Sequence, residues 1–259
     1  MTFRRMVALS FAAVLFFLMS PAHADWDWRA GFGGRSLPLG AAGVAELGYG
    51  QLLWGQPGEG KFLYGYIRPL LRYQGLGLAN RGDLALEVNP ISFLNLRGGL
   101  RSRYRFLGSF STLDCDSAIC RGLLTSPFVS GKMVLGARGV FFGFTWSWEK
   151  ISLNDTSRRF AEEFSALYGA PGGDTLLGTE LLLGSDIADD WSAGALWQQF
   201  RMRSSGTSND LKGLFARKKW DQWSGIFGCG AYESSTQSPA GPVIFFQAEF
   251  RGTPTLAIF

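Results

Sequence analysis

The chain has 259 residues, with 25 lysines and arginines against 21 aspartates and glutamates, one histidine and three cysteines. The surplus of bases is small and falls to two once the first 24 residues are set aside, so the high isoelectric point is not a nucleic-acid footprint. Beyond the opening segment no run of ~20 apolar residues exists, which excludes a spanning helix there, while 35 glycines and 15% aromatic residues point to strands.

Residues 1–24 read as a secretory signal. Arg4 and Arg5 form a basic start, Met6 to Met19 is apolar apart from Ser10, and Ala22-His23-Ala24 is a small-residue cleavage pattern. Cleavage after Ala24 leaves a single domain, 25–259. A retained signal anchor is the alternative, and the absence of a cysteine just after the site argues against a lipoprotein anchor. His23 leaves with the signal. This removes Ser-His-Asp and Cys-His arrangements and the usual general base near neutral pH. The expectation is a non-enzyme with no cofactor, no metal site and no nucleic-acid partner, although a carboxylate-only activity stays open.

In the remaining chain apolar residues recur at every second position, the period of a strand. Twelve segments begin near Trp26, Ala42, Lys61, Gly82, Phe93, Gly122, Gly139, Asp174, Asp190, Leu211, Trp223 and Pro242. In the fourth, Leu84, Leu86 and Val88 alternate with Asp83, Ala85, Glu87 and Asn89. In the fifth, Leu94, Leu96 and Leu100 share one face and Arg97, Arg101, Arg103 and Arg105 the other. An arginine facing lipid costs ~2–4 kcal/mol near the bilayer midplane, so these four must face inward or toward water. The turn at Asn89–Ser92 sets Asp83 and Glu87 beside Arg101 and Arg97.

The strand Gly139–Ile151 is the clearest. Val140, Phe142, Phe144, Trp146 and Trp148 form one column, and Phe141, Gly143, Thr145, Ser147 and Glu149 the other. Large and apolar on one side, small and polar on the other, is the dyad pattern of a strand between lipid and a polar lumen. Trp191 and Trp197 share a face, as do Trp223 and Phe227; Ile244, Phe246 and Phe250 alternate with Phe245, Gln247, Glu249 and Arg251.

Connections alternate in length. Short ones fall near 57–60, 89–92, 136–138, 184–189 and 220–222. Longer ones fall near 36–41, 74–81, 108–121, 154–173, 203–210 and 233–241. Together these features resemble the bacterial outer-membrane β-barrel proteins of Gram-negative cells. The resemblance covers the whole of 25–259. It implies an all-β, antiparallel, closed transmembrane barrel of about twelve strands (ten is the alternative), exported to the outer membrane. It also implies outer-membrane lipid as surroundings and insertion machinery that reads the C-terminal strand at Phe259. A soluble periplasmic sandwich or lipocalin-like barrel is the rival, with the same apolar faces turned inward.

The residues that could carry function follow. Arg97, Arg101, Arg103 and Arg105 form a row of guanidinium groups suited to anions, in a porin-like passive pore for small solutes. The bland reading is a lumen filled by salt bridges with Asp83, Glu87, Glu149, Glu180 and Glu249. Twelve strands lie between small filled barrels and wide porins, so size does not decide. In the loop 154–173, Asp155 or Thr156 and Gly169 bracket Phe160, Phe164 and Leu167 at helical spacing. A short helix is expected there. It either restricts the mouth, with Arg158, Arg159, Phe160 and Phe164 as constriction candidates, or packs on the rim. Cys115 and Cys120 bracket DSAI, and an oxidising compartment favours a local disulfide over two free thiols. Cys229 reads as a small packing residue.

Overall fold

The computed structural model describes residues 24–55, 63–75, 79–105 and 113–252. Twelve strands form one closed antiparallel barrel. They are β1 (Ala24–Ser36), β2 (Leu39–Gly55), β3 (Tyr64–Gly75), β4 (Ala79–Ile91), β5 (Leu94–Arg105), β7 (Gly122–Ala137), β8 (Val140–Ser152), β11 (Gly173–Ala188), β12 (Trp191–Met202), β13 (Ser208–Trp220), β14 (Trp223–Ser234) and β15 (Gln237–Arg251). Each pairs with the next along the chain, and β15 closes the ring on β1 through pairs such as Phe32 with Ala248. A separate three-stranded sheet consists of β6 (Ala118–Ile119), β9 (Arg159–Glu162) and β10 (Leu167–Gly169).

Closure satisfies every ladder, which an open sheet in hydrocarbon could not do. The barrel strands have 12 to 17 residues, longer than the ~9–11 needed to cross. Alternation then sorts the side chains. On β8, Val140, Trp146 and Trp148 are exposed on the outer surface, and Glu149 is buried within. On β5 the four arginines face the lumen, with Leu96, Leu100 and Tyr104 outside.

The described short turns lie at one end of the barrel, including the β4–β5 turn and the Arg138–Gly139 turn, both as expected. At the other end three expectations change. The loop expected at 36–41 is a tight hairpin in which Ser36 pairs with Leu39, because the small residues after Pro38 simply extend β2. The loop expected at 233–241 is likewise short. Ser234 pairs with Gln237, and the Ser234 and Thr236 hydroxyls bond at 2.9 Å to make the turn.

The third change is larger: no helix forms in 154–173. The chain runs instead as β9, a turn, and β10. Strand β9 hydrogen-bonds on both sides, antiparallel to β10 and parallel to β6. Its backbone partners therefore come from neighbours, and these ladder bonds override a helical spacing in a segment short enough to be marginal as a helix. The Glu162 carboxylate fixes the turn by accepting from the Ser165 amide at 2.7 Å and from its hydroxyl. Gly169 is required here, because a Cβ would collide with the Phe160 ring.

Candidate functional site

The four arginines of β5 divide into two pairs along the barrel axis. Arg97 and Arg101 bind carboxylates of the wall. Arg97 Nε donates to Glu87 at 3.2 Å and Nη1 to Glu46 at 3.3 Å. Arg101 holds Asp83 with two nearly equal bonds, 2.8 and 2.9 Å, and reaches Glu149 at 2.6 Å. These follow the ladder register, in which Arg97 lies opposite Glu87 and Arg101 opposite Asp83. The Arg101 guanidinium also lies over the Phe128 ring, 4.3 Å from its centre.

Arg103 and Arg105 turn toward the loops. Arg103 donates to Glu149 at 2.6 Å and to Ser126 at 3.3 Å, and lies 3.4 Å from Glu162 of the inserted turn. Arg105 donates to the carbonyls of Ala161 at 2.8 Å, Ile119 at 3.2 Å and Arg121 at 3.3 Å. One guanidinium thus ties both long loops to the barrel wall, a use of its fixed fork of donors.

The loop between β8 and β11 enters the mouth and meets the wall on several sides. Arg35 of β1 donates to the Phe164 carbonyl at 3.3 Å. Arg81 of β4 stacks on the Phe164 ring, 4.6 Å from its centre. Asn209 of β13 donates to the Ser165 carbonyl, and Thr236, in the turn after β14, donates to that of Ala166 at 2.9 Å. Phe160 and Leu167 are wholly buried, packed with Leu124, Ile151, Leu176 and Met202 of the wall. Beneath the tip lies a cavity of about 100 Å³, lined by Arg81, Arg101, Arg103, Glu149, Glu162 and Phe164 among others.

Of the constriction candidates, Phe164 reaches the lumen and Phe160 is core. Arg158 and Arg159 turn away. Arg158 is exposed beside Asp155 at 3.4 Å, and Arg159 lies over the Tyr168 ring at 4.2 Å. They sit at the outer end of β9, where alternation and the chain direction carry them out of the mouth. Glu180 accepts from Gln198 at 3.1 Å and Glu249 from Arg251 at 2.7 Å. Both face the lumen but lie apart from the β5 row. The disulfide Cys115–Cys120 is formed, and Cys229 is exposed on the outer surface.

Sequence reasoning missed a second cluster. Arg68 of β3 binds Asp27 of β1 through Nε at 2.8 Å and Glu46 of β2 at 2.7 Å, and Glu46 also accepts from Arg29 at 2.9 Å. The Arg68 side chain lies against Gly48, where any Cβ would collide with it. The alternation of β3 was blurred because Leu70 and Tyr66 also face inward.

The outer surface decides the setting. Leu84, Leu214 and Phe227 are 65%, 66% and 59% exposed, while Arg103 and Asp83 are 0% and 1% exposed inside. Trp26, Trp28, Trp191, Trp220 and Trp223 ring the short-turn end, and Tyr73, Tyr104 and Trp148 lie toward the other. An apolar band between aromatic girdles around a charged interior suits hydrocarbon and not water.

The architecture is that of a closed, membrane-spanning β-barrel of twelve antiparallel strands.

No protein-family model and no curated protein matches the sequence. Among solved structures the chain is similar to the NanC porin, at 9% identity and a TM-score of 0.41, over 87% of this chain and 99% of that one. It is similar to the translocator domain of the autotransporter NalP from Neisseria meningitidis, at 14% identity and a TM-score of 0.40, over 96% of each chain. It is also similar to OmpT of Vibrio cholerae, at 9% identity and a TM-score of 0.45, over 88% of this chain and 97% of that one.

Within the loops of this barrel, two carboxyl groups depart from their ordinary behaviour. Burial, followed by the charge of adjacent Glu162, pushes Glu163 up to about 7, although Arg103 and Arg105 oppose the shift. Asp155, half-buried on the loop, is held down at about 2 by the hydroxyl and amide of Ser157.

Proposed function

We propose that this protein is an outer-membrane channel for small anionic solutes, with the loop between β8 and β11 as the element that closes its mouth. We read residues 1–24 as its export signal and the C-terminal strand as the segment taken up by insertion machinery. The observation that carries the channel reading is a set of lumen cations left over after pairing. Among the described residues Arg35, Arg72, Lys132 and Arg217 form no ion pair, although all four side chains point inward. The arginines first singled out on β5 are compensated by Asp83, Glu87, Glu149 and the inserted turn. Selectivity therefore falls to the uncompensated groups, which attract carboxylates and phosphates and repel cations.

The number of buried ion pairs favours a second reading, a permanently filled barrel whose loops contact partners. Planar-bilayer recording separates the two. Deleting 158–167 should raise conductance severalfold and give a reversal potential on the anion side in a salt gradient. Arg72→Glu in that background should move the reversal potential toward the cation side. A folded deletion variant without conductance establishes the filled barrel, and cation preference overturns the anion assignment.

A further inference from the structure

We propose that the tip of the inserted loop is a pH latch: a protonated Glu163 carboxyl holds the loop in the mouth, and its ionisation releases the loop. The latch rests on the reading of this loop as the closing element of a channel.

Glu163 is nearly buried, at 9% exposure, and neither of its carboxylate oxygens has a hydrogen-bond partner among the described residues. The adjacent carboxyl, Glu162, is 1% exposed and spends one oxygen on the turn at Ser165. From β5, Arg105 lies 3.9 Å from Glu163 without hydrogen-bonding it; its Nη groups serve the carbonyls of Ala161, Ile119 and Arg121, and its buried Nε has no acceptor among the described residues. Arg103 of the same strand donates to Glu149 of β8 through Nη2, and its Nε lies 3.4 Å from Glu162 rather than serving Glu163. The other polar groups around the tip are engaged elsewhere. Arg35 of β1 serves the Phe164 carbonyl, Arg81 of β4 stacks on the Phe164 ring, and Asn209 of β13 serves the Ser165 carbonyl. Tyr232 of β14 lies beneath Arg35.

An ionised Glu163 in the closed mouth is thus a buried charge beside a like charge, with no hydrogen bond to either oxygen among the described residues and only the 3.9 Å approach of Arg105 to offset it. Burial of that kind favours the neutral form. On a loop swung into water the same carboxyl ionises at its ordinary value near 4.5, against about 7 when closed. The sign follows. Below the lower value both forms are protonated and closure is fully favoured. Between the two values the open form loses its proton first, so closure weakens as pH rises. Above the upper value the closed form buries a charge and the latch is at its weakest. Across pH 5 to 8 the open-to-closed ratio rises on the order of tenfold or more.

The test uses the full-length protein in planar bilayers, together with a readout independent of conductance. Phe164→Cys in a Cys229→Ser background gives a single reactive thiol at the loop tip. Its rate with a water-soluble maleimide is divided at each pH by that of Ser157→Cys in the same background, which cancels thiol ionisation. The rate ratio and the open occupancy should both rise on the order of tenfold from pH 5 to pH 8, and Glu163→Gln should hold both at their acidic values throughout. A flat or inverted wild-type ratio overturns the latch, as does a Glu163→Gln protein that keeps the wild-type pH profile. If labelling follows pH while no current is ever seen, the latch stands and the channel reading falls.

Discussion

Replacing Glu149 by Gln tests whether the lumen network holds the barrel together. Glu149 is 2% exposed and accepts from Arg101 and Arg103, each at 2.6 Å, and from Ser126. The amide keeps the volume and an acceptor for Ser126, so no cavity term enters. Arg101 retains its paired bonds to Asp83. Arg103, wholly buried, loses its carboxylate partner on β8 and keeps the 3.3 Å bond to Ser126 and the 3.4 Å approach to Glu162. The cost is therefore concentrated on one stranded guanidinium. Breaking a buried pair from one side costs ~3–5 kcal/mol, and the surviving contacts place this variant at the lower end, about 3 kcal/mol. Reversible urea unfolding in lipid vesicles, followed by tryptophan fluorescence, measures it. The paired change Glu149→Leu with Arg103→Met removes both charges and should cost less than Glu149→Gln alone. A single variant within ~0.5 kcal/mol of wild type, or a pair whose cost is the sum of its parts, would refute this account of the network.

Two further outcomes are expected. Leu183→Arg, on the outer face at 56% exposure, should destabilise the barrel by about 2 kcal/mol in the same unfolding assay, whereas Leu182→Arg, one residue earlier and facing the lumen, should cost clearly less. Reducing Cys115–Cys120 should barely move the global unfolding midpoint, because the bridge spans only five positions. It should nevertheless speed tryptic cleavage at Arg158 and Arg159 severalfold, since Leu113 and Cys120 pack on Ala161 and Tyr168 and β6 pairs with β9.

Much of the candidate site was legible because strand alternation fixes sidedness before any contact is known. The arginines of β5 had to face inward, and one tight turn was enough to pair Asp83 with Arg101 and Glu87 with Arg97. Asp27, Glu46 and Arg68 were not legible, since their contact joins three strands and their faces mix charged with apolar residues. The inserted loop was misjudged for a related reason. Phe160, Phe164 and Leu167 have helical spacing, but the segment's backbone partners come from β6 and from itself in a hairpin, neither of which local spacing records. Phe259 and the connection around 57–60 lie outside the described residues.

Alternation along each strand was enough to tell the apolar face from the charged one. A period of two, with tryptophan and leucine against arginine and glutamate, separates an apolar face from a charged one on each strand and favours the barrel with apolar residues outward over the soluble rival, because charge in hydrocarbon is too costly. Where the loop between β8 and β11 sits, and which lumen cations lack an ion pair among the described residues, came from the folded barrel alone. Both depend on side chains from strands distant in the chain meeting across the barrel, and no local pattern encodes those distances.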